Sequence, residues 1–176
     1  MGVRNYLIEG VSGTGKTSVA TELQRRGYHV LHGDRDLAYR GDPQTGERLE
    51  GSAQDALDVA FIHRHHIWDV DQVKSLMADR SRSITFFCGG SRNFHHFIDF
   101  FDEVFVLDVD LDTLKARLTN RPEDEFGGRP VEQELIIRLH TTKEDIPANA
   151  TVIDATAPLV SVVDDILRRC GEADRD

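Results

Sequence analysis

The stretch Gly10–Thr17, "GVSGTGKT", directly follows the run Arg4–Glu9, "RNYLIE", and its reading decides the fold. It fits the pattern G-x-x-x-x-G-K-[ST] at every position. Lys16 opens "KTSVATELQRRG", whose Val19, Ala20 and Leu23 share one helical side before Gly27 closes it. A strand, a glycine-rich turn and a helix in that order gather backbone amides and a helix N-terminus around a concave space suited to phosphate. Side chains at Gly10, Gly13 or Gly15 would keep a phosphate at a distance. Lys16 supplies a point charge for the outer phosphates, and the Thr17 hydroxyl can ligate Mg²⁺. The nucleotide-binding candidates are therefore Gly10, Ser12, Gly13, Thr14, Gly15, Lys16, Thr17 and Ser18, with ATP and Mg²⁺ as the ligands.

Working outward, "YHVLHGD", "SITFFCGG", "DEVFVLDV" and "ATVIDAT" read as further strands, each followed by a turn or helix. The run Arg40–Ser52 has loop chemistry, and the segment from Ala53 to Arg80 is helical in period with one break. "NFHHFIDFF" reads as a short helix, "DLDTLKARLTNR" and "VEQELIIRLHTTKED" as longer ones, and Pro158 opens the last. Five strands alternating with helices predict an α/β fold: three layers around a five-stranded parallel sheet. The expected organisation is one domain over 1–176, with an acceptor region at 34–80, a lid at 121–130 and a frayed tail at 171–176.

The chain carries 21 Lys and Arg against 31 Asp and Glu, a net charge of −10, which repels a nucleic-acid backbone. A few local cations can still hold a small polyanion. Cys88 and Cys170 fit no metal or redox spacing and read as reduced thiols. No apolar run is long enough for a membrane span, and the first strand leaves no room for a signal peptide, so a cytoplasmic protein is expected.

In such a sheet the carboxyl ends of neighbouring strands share one crevice. Asp34 and Asp36, in "HGDRD", are thereby expected to face the loop, one beside Mg²⁺ and one toward an acceptor. In "FFCGGSRN", Gly89 and Gly90 allow a ligand close to the backbone, with Arg92 and Asn93 as donors beside it. Arg117, Arg121 and Arg129 lead into and through "RPEDEFGGR", and Arg138 follows on the next helix. Arginines on a glycine-hinged lid stabilise charge on a transferring phosphoryl group and exclude water. His63, His66, His95 and His96 read as solvated or core residues, and Trp68 as core.

The loop, the chain length and the polar lid resemble the small P-loop kinases: shikimate kinase, gluconate kinase and the nucleoside monophosphate kinases. The resemblance runs over nearly the whole chain and implies a P-loop NTPase fold. Shikimate kinases carry an Asp-x-Asp pair like Asp34 and Asp36, which implies Mg²⁺ for the first and the acceptor hydroxyl for the second. Their glycine triplet matches Gly89 and Gly90, with Ser91 in the third place. Related kinases place lid arginines here, which singles out Arg121 and Arg129, and a last loop that curves around adenine, matching Ala155, Thr156 and Pro158. The Thr-Gly-Asp segment of nucleoside monophosphate kinases is only partly present in "HGDRDLAYR", and the Phe-Arg-x-x-Glu of shikimate kinases is displaced in "FIHRHH". The first expectation is transfer to the hydroxyl of a small molecule (nucleoside, polyol or shikimate-like). Transfer to a nucleotide phosphate is second. A P-loop switch acting on a protein partner is the alternative of another class.

Overall fold

In a computed structural model, residues 3–52 and 58–172 are described. The elements are β1 (Arg4–Glu9), α1 (Lys16–Arg25), β2 (His29–His32), α2 (Gly33–Asp36), β3 (Ala38–Arg40), α3 (Val59–Arg64), β4 (His66–Trp68) and α4 (Val70–Ala78). They continue with β5 (Ile84–Cys88), β6 (Glu103–Asp108), α5 (Leu111–Thr119), α6 (Pro130–Thr142), β7 (Thr151–Asp154) and α7 (Leu159–Arg169). The main sheet is parallel in the order β2-β5-β1-β6-β7, so the α/β fold class and its five parallel strands stand as expected.

The central strand β1 is buried on both faces, as a covered parallel strand must be. Side-chain alternation divides the core. Tyr6, Ile8, Phe86 and Phe105 pack on one side with Leu23, Val163 and Ile166. Leu7 and Phe87 pack on the other with Trp68, Phe97 and Phe101. Each such side chain contributes about 1.5–3 kcal/mol of burial. Aspartates start three of the helices: Asp58, Asp69 and Asp110 accept from the amides of Phe61, Gln72 and Thr113 at 3.1, 3.0 and 2.8 Å.

The helical reading between 53 and 80 is corrected. Residues 53–57 lie outside the described residues, and the rest is α3, then β4, then α4. The break has a cause in hydrogen bonding: β4 pairs antiparallel with β3, Trp68 opposite Ala38, and Asp69 starts a new helix. The loop reading of 40–52 is modified too, since Arg40 ends β3 and Gly41 bridges to Arg48. "NFHHFIDFF" forms two 3₁₀ turns, Phe94–His96 and Ile98–Phe100. At the tail, Gly171 follows α7 and Glu172 pairs with Arg4 at 2.5 Å, so these two residues are held; 173–176 lie outside the described residues. Among the described residues no helix is long and apolar enough to cross a membrane.

Glu22 on α1 accepts from Arg25 at 2.7 Å and Arg26 at 2.8 Å, while Arg26 also reaches Asp164 on α7 at 2.6 Å. The hydrogen bonds from the two arginines pull the Glu22 carboxyl down to about 2 from 4.5. A carboxyl depressed on folding stabilises the fold above its unfolded value and loses that contribution as pH falls toward the folded one. Glu22→Gln should therefore flatten the fall of Tm between pH 4.5 and about 2, followed by circular dichroism melts. An unchanged slope would remove Glu22 from the acid limb.

Candidate active site

The loop after β1 is shaped by its glycines. Gly13 and Gly15 have φ of 91° and 106°, a region that favours glycine, and Gly15 caps α1. Thr14 is buried and turns inward, its hydroxyl donating to Val11 O at 2.7 Å, so it braces the loop and offers a ligand only its backbone. Lys16 Nζ lies folded on the loop, 2.5 Å from Gly10 O and 3.3 Å from Val11 O. Burial pushes its pKa down, against the charges of Glu9 and Asp34.

A cavity of about 500 Å³ opens over this loop. It runs from Glu9 and Gly10–Gly13 through Gly15–Ser18 to Asp34, His63, His66, Gly90, Arg92 and Asp145, with Arg121 and Phe126 from the segment between α5 and α6 and Ile62, Ile136, Leu139 and Ile146 as apolar wall. A neighbouring cavity of about 350 Å³ shares Lys16, Thr17 and Asp34 and adds Gln24, His32, Arg35 and Gly89.

The acidic pair separates. Asp34 lines both cavities, 3.0 Å from His66 Nε2. Burial raises its carboxyl, but the hydrogen bond and charge of His66, with Lys16 and Arg92, outweigh that and hold it below the usual range. Asp36 is a correction: its Oδ2 accepts the His32 amide at 2.8 Å, and the residue lines neither cavity.

The arginines also divide. Arg121 reaches the phosphate loop, donating to Ser12 Oγ at 3.0 Å and to Phe126 O at 2.7 Å. Arg117 ties Gly13 O and Thr14 O, at 3.3 and 3.2 Å, to Ala155 O at 2.9 Å, joining the phosphate loop to the last loop. Arg129 is corrected: its guanidinium pairs with the buried Glu132, 3.0 Å from Nε, which fixes the start of α6. Arg138 is corrected too, being exposed and 3.8 Å from Glu144, outside both cavities. Asn93 is fully buried and holds β4, accepting from Trp68 N at 3.0 Å and donating to Trp68 O at 2.9 Å, so it is not available to a substrate. Thr156 binds back to Asp154, and Pro158 is exposed at the start of α7; neither lines these cavities.

Besides the apolar wall and residues 125 and 126, four residues of the cavity escaped the sequence reading. Glu9, buried at the end of β1, accepts the Gly10 amide at 3.0 Å. Burial raises its carboxyl, against the charges of Arg92 and Lys16. His63 Nε2 and Arg92 Nη1 meet Asp145 Oδ2 at 2.7 and 3.0 Å, and His66 meets Asp34. An acid closing the central strand just before the loop was the legible sign for Glu9; Asp145 had none.

A family model described as an AAA domain matches residues 7–138. No curated protein matches in sequence. A sugar kinase from Janibacter sp. HTCC2649 is 18% identical with a TM-score of 0.59, over 97% of this chain and 96% of that one. A shikimate kinase from Bacteroides thetaiotaomicron is 13% identical at 0.59, over 96% and 98%. A deoxyadenosine kinase from M. mycoides, solved with bound dATP, is 16% identical at 0.53, over 94% and 98%. At these identities the structures speak for the fold, and the family match carries the assignment. With its phosphate loop between the central strand and the first helix, the chain belongs to the AAA domain family and has the kinase-like P-loop NTPase fold.

Proposed function

We propose that the chain is an ATP-dependent phosphotransferase acting on the hydroxyl of a small, uncharged molecule. The observation that carries this is a single cavity joining the phosphate loop to Asp34, His66, Arg92 and Asp145. A switch ATPase has no need of that polar space beyond the phosphates. A nucleotide-phosphate acceptor would need a second set of free cations, and Arg92 already faces Asp145 and Glu9.

Backbone amides of Val11–Thr17 and the start of α1 hold the phosphates, Lys16 moves from the loop carbonyls to the outer ones, and Arg121 covers them from the lid. Thr17 lines the cavity beside Asp34, and its hydroxyl is a hard oxygen donor of the kind Mg²⁺ takes. The metal, when bound, neutralises charge on the phosphate oxygens. The acceptor oxygen attacks the γ-phosphorus as its proton passes to Asp34. The bond from that phosphorus to the bridging oxygen breaks, and ADP leaves with the electron pair. A carboxylate held below its usual range is a weak base, and a loose transition state asks it mainly to orient the hydroxyl.

The test is ADP release with a panel of nucleosides, nucleotides, polyols and hydroxy acids. One neutral hydroxyl acceptor should stimulate release, and Asp34→Asn should lower kcat about 10²–10⁴-fold with ATP affinity retained. Asp36→Asn should leave kcat within about threefold, since Asp36 serves its own backbone. Release indifferent to every acceptor would replace this reading with that of a switch.

A further inference from the structure

The wall of the cavity that Arg92 forms beside Glu9 has a chemistry of its own. Arg92 enters it from the turn after β5 with its side chain 11% exposed. Its Nη1 lies 3.0 Å from Asp145 Oδ2, yet neither Nε nor Nη1 has a hydrogen-bond acceptor among the described residues. Buried donors left open carry a desolvation cost that a ligand oxygen removes. On the other flank, a Cβ at Gly90 would meet Glu9 Oε1 at 2.7 Å and Arg92 Nη2 at 3.2 Å, so these side chains crowd the same α-carbon. The guanidinium thus stands between two carboxyl groups.

That arrangement selects by charge and by hydrogen-bond sense. A ligand phosphate or carboxylate would accept from Arg92 but meet Asp145 and Glu9 at the same point. A hydroxyl can accept from Arg92 and donate to Asp145, whose side chain keeps 31% of its surface exposed while His63 fixes its orientation at 2.7 Å. Two adjacent hydroxyls match a donor fork beside a carboxylate.

We propose that Arg92 and Asp145 form a subsite for a vicinal diol of the acceptor that does not include the hydroxyl that reacts. This rests on the phosphotransferase reading for the identity of the occupant, although diol binding itself needs no transfer. Open-chain polyols and ribofuranosyl groups present the same pair.

Calorimetric titration of the full chain, saturated with Mg·ADP, tests it with four probes: adenosine, 2′-deoxyadenosine, ribitol and its dideoxy partner pentane-1,3,5-triol, the second and fourth having no adjacent hydroxyls. At least one diol should bind about tenfold or more tighter than its deoxy partner. Preference for adenosine would identify a furanose site, and preference for ribitol an open-chain one. Asp145→Asn should abolish the preference while the deoxy probe binds within about twofold of before. Arg92→Lys, which keeps the charge but loses the fork, should do the same and serves where Asp145→Asn fails to fold. The subsite is overturned if neither diol binds, if the deoxy partners bind equally, if the variants keep the preference, or if ribose 5-phosphate or shikimate binds more tightly than both diols. Diol binding without ADP release from any acceptor would leave the subsite and remove the kinase; ADP release confined to acceptors without adjacent hydroxyls would do the reverse.

Discussion

Lys16→Ala should lower turnover with ATP about 10³-fold or more while the fold persists. The Nζ is the one side-chain cation rising from within the Gly10–Thr17 loop, and it rests on the Gly10 and Val11 carbonyls, from which it can transfer to phosphate oxygens without displacing a packed group. A preorganised charge in a water-poor cavity is worth far more than in bulk, and alanine leaves nothing in its place. Lys16→Arg keeps the charge but offers a broad planar fork where a point charge fits, so it should rescue little. The measurements are steady-state kcat, calorimetric titration with ATP, and a melt to show that Tm moves by less than a few degrees. Turnover within tenfold of the parent would exclude the loop as the phosphate site.

Gly33→Ala should be the most damaging single change to stability near the site. A Cβ there would stand 1.9 Å from Cζ2 of Trp68 and 2.5 Å from its Cε2, well inside contact distance. The indole cannot retreat. Asn93 grips Trp68 at both backbone N and O, and its ring stacks on Phe97 at 5.7 Å with 4° between planes. Overpacking in a rigid core costs about 3 kcal/mol, a fall of roughly 10 °C in a chain of this size. Because Asp34 is the next residue, kcat should fall as well. In Gly33→Ala/Trp68→Phe the benzo ring that carries Cζ2 is gone, so part of the loss should return. A Gly33→Ala Tm within about 2 °C of the parent, read by calorimetry, would show that the wall is softer than the contacts imply.

The sequence disclosed what repeats locally. The loop is legible because glycine, lysine and threonine at fixed offsets answer to one turn and one ligand, and β1 because an apolar run precedes them. Asp36 shows where such reading fails. Residues i and i+2 share a face only on a strand. Here β2 ends at His32 and a single helical turn, Gly33–Asp36, follows at once, so Asp34 and Asp36 point roughly 200° apart around an axis. The second aspartate reaches back to an amide and the first is left in the cavity. Arg129 was misread for a related reason: Glu132 lies one turn on and captures it. The three-residue β4 carries no period of its own, and its place comes from pairing with β3 and from Asn93, both remote in sequence. His63 and Asp145 belong to the cavity through a contact that spans 82 positions, beyond the reach of any local pattern.

The β3–β4 ribbon hydrogen-bonds within itself, and outside its pairing it is fastened to the turn after β5 by Asn93 and by the Arg92 amide, which donates to His66 O at 2.9 Å. It shares no ladder with the five parallel strands. Changes to its outward-facing side chains would thus leave the strand register around the nucleotide cradle intact, so long as Trp68 keeps its place against Leu7 and Phe87.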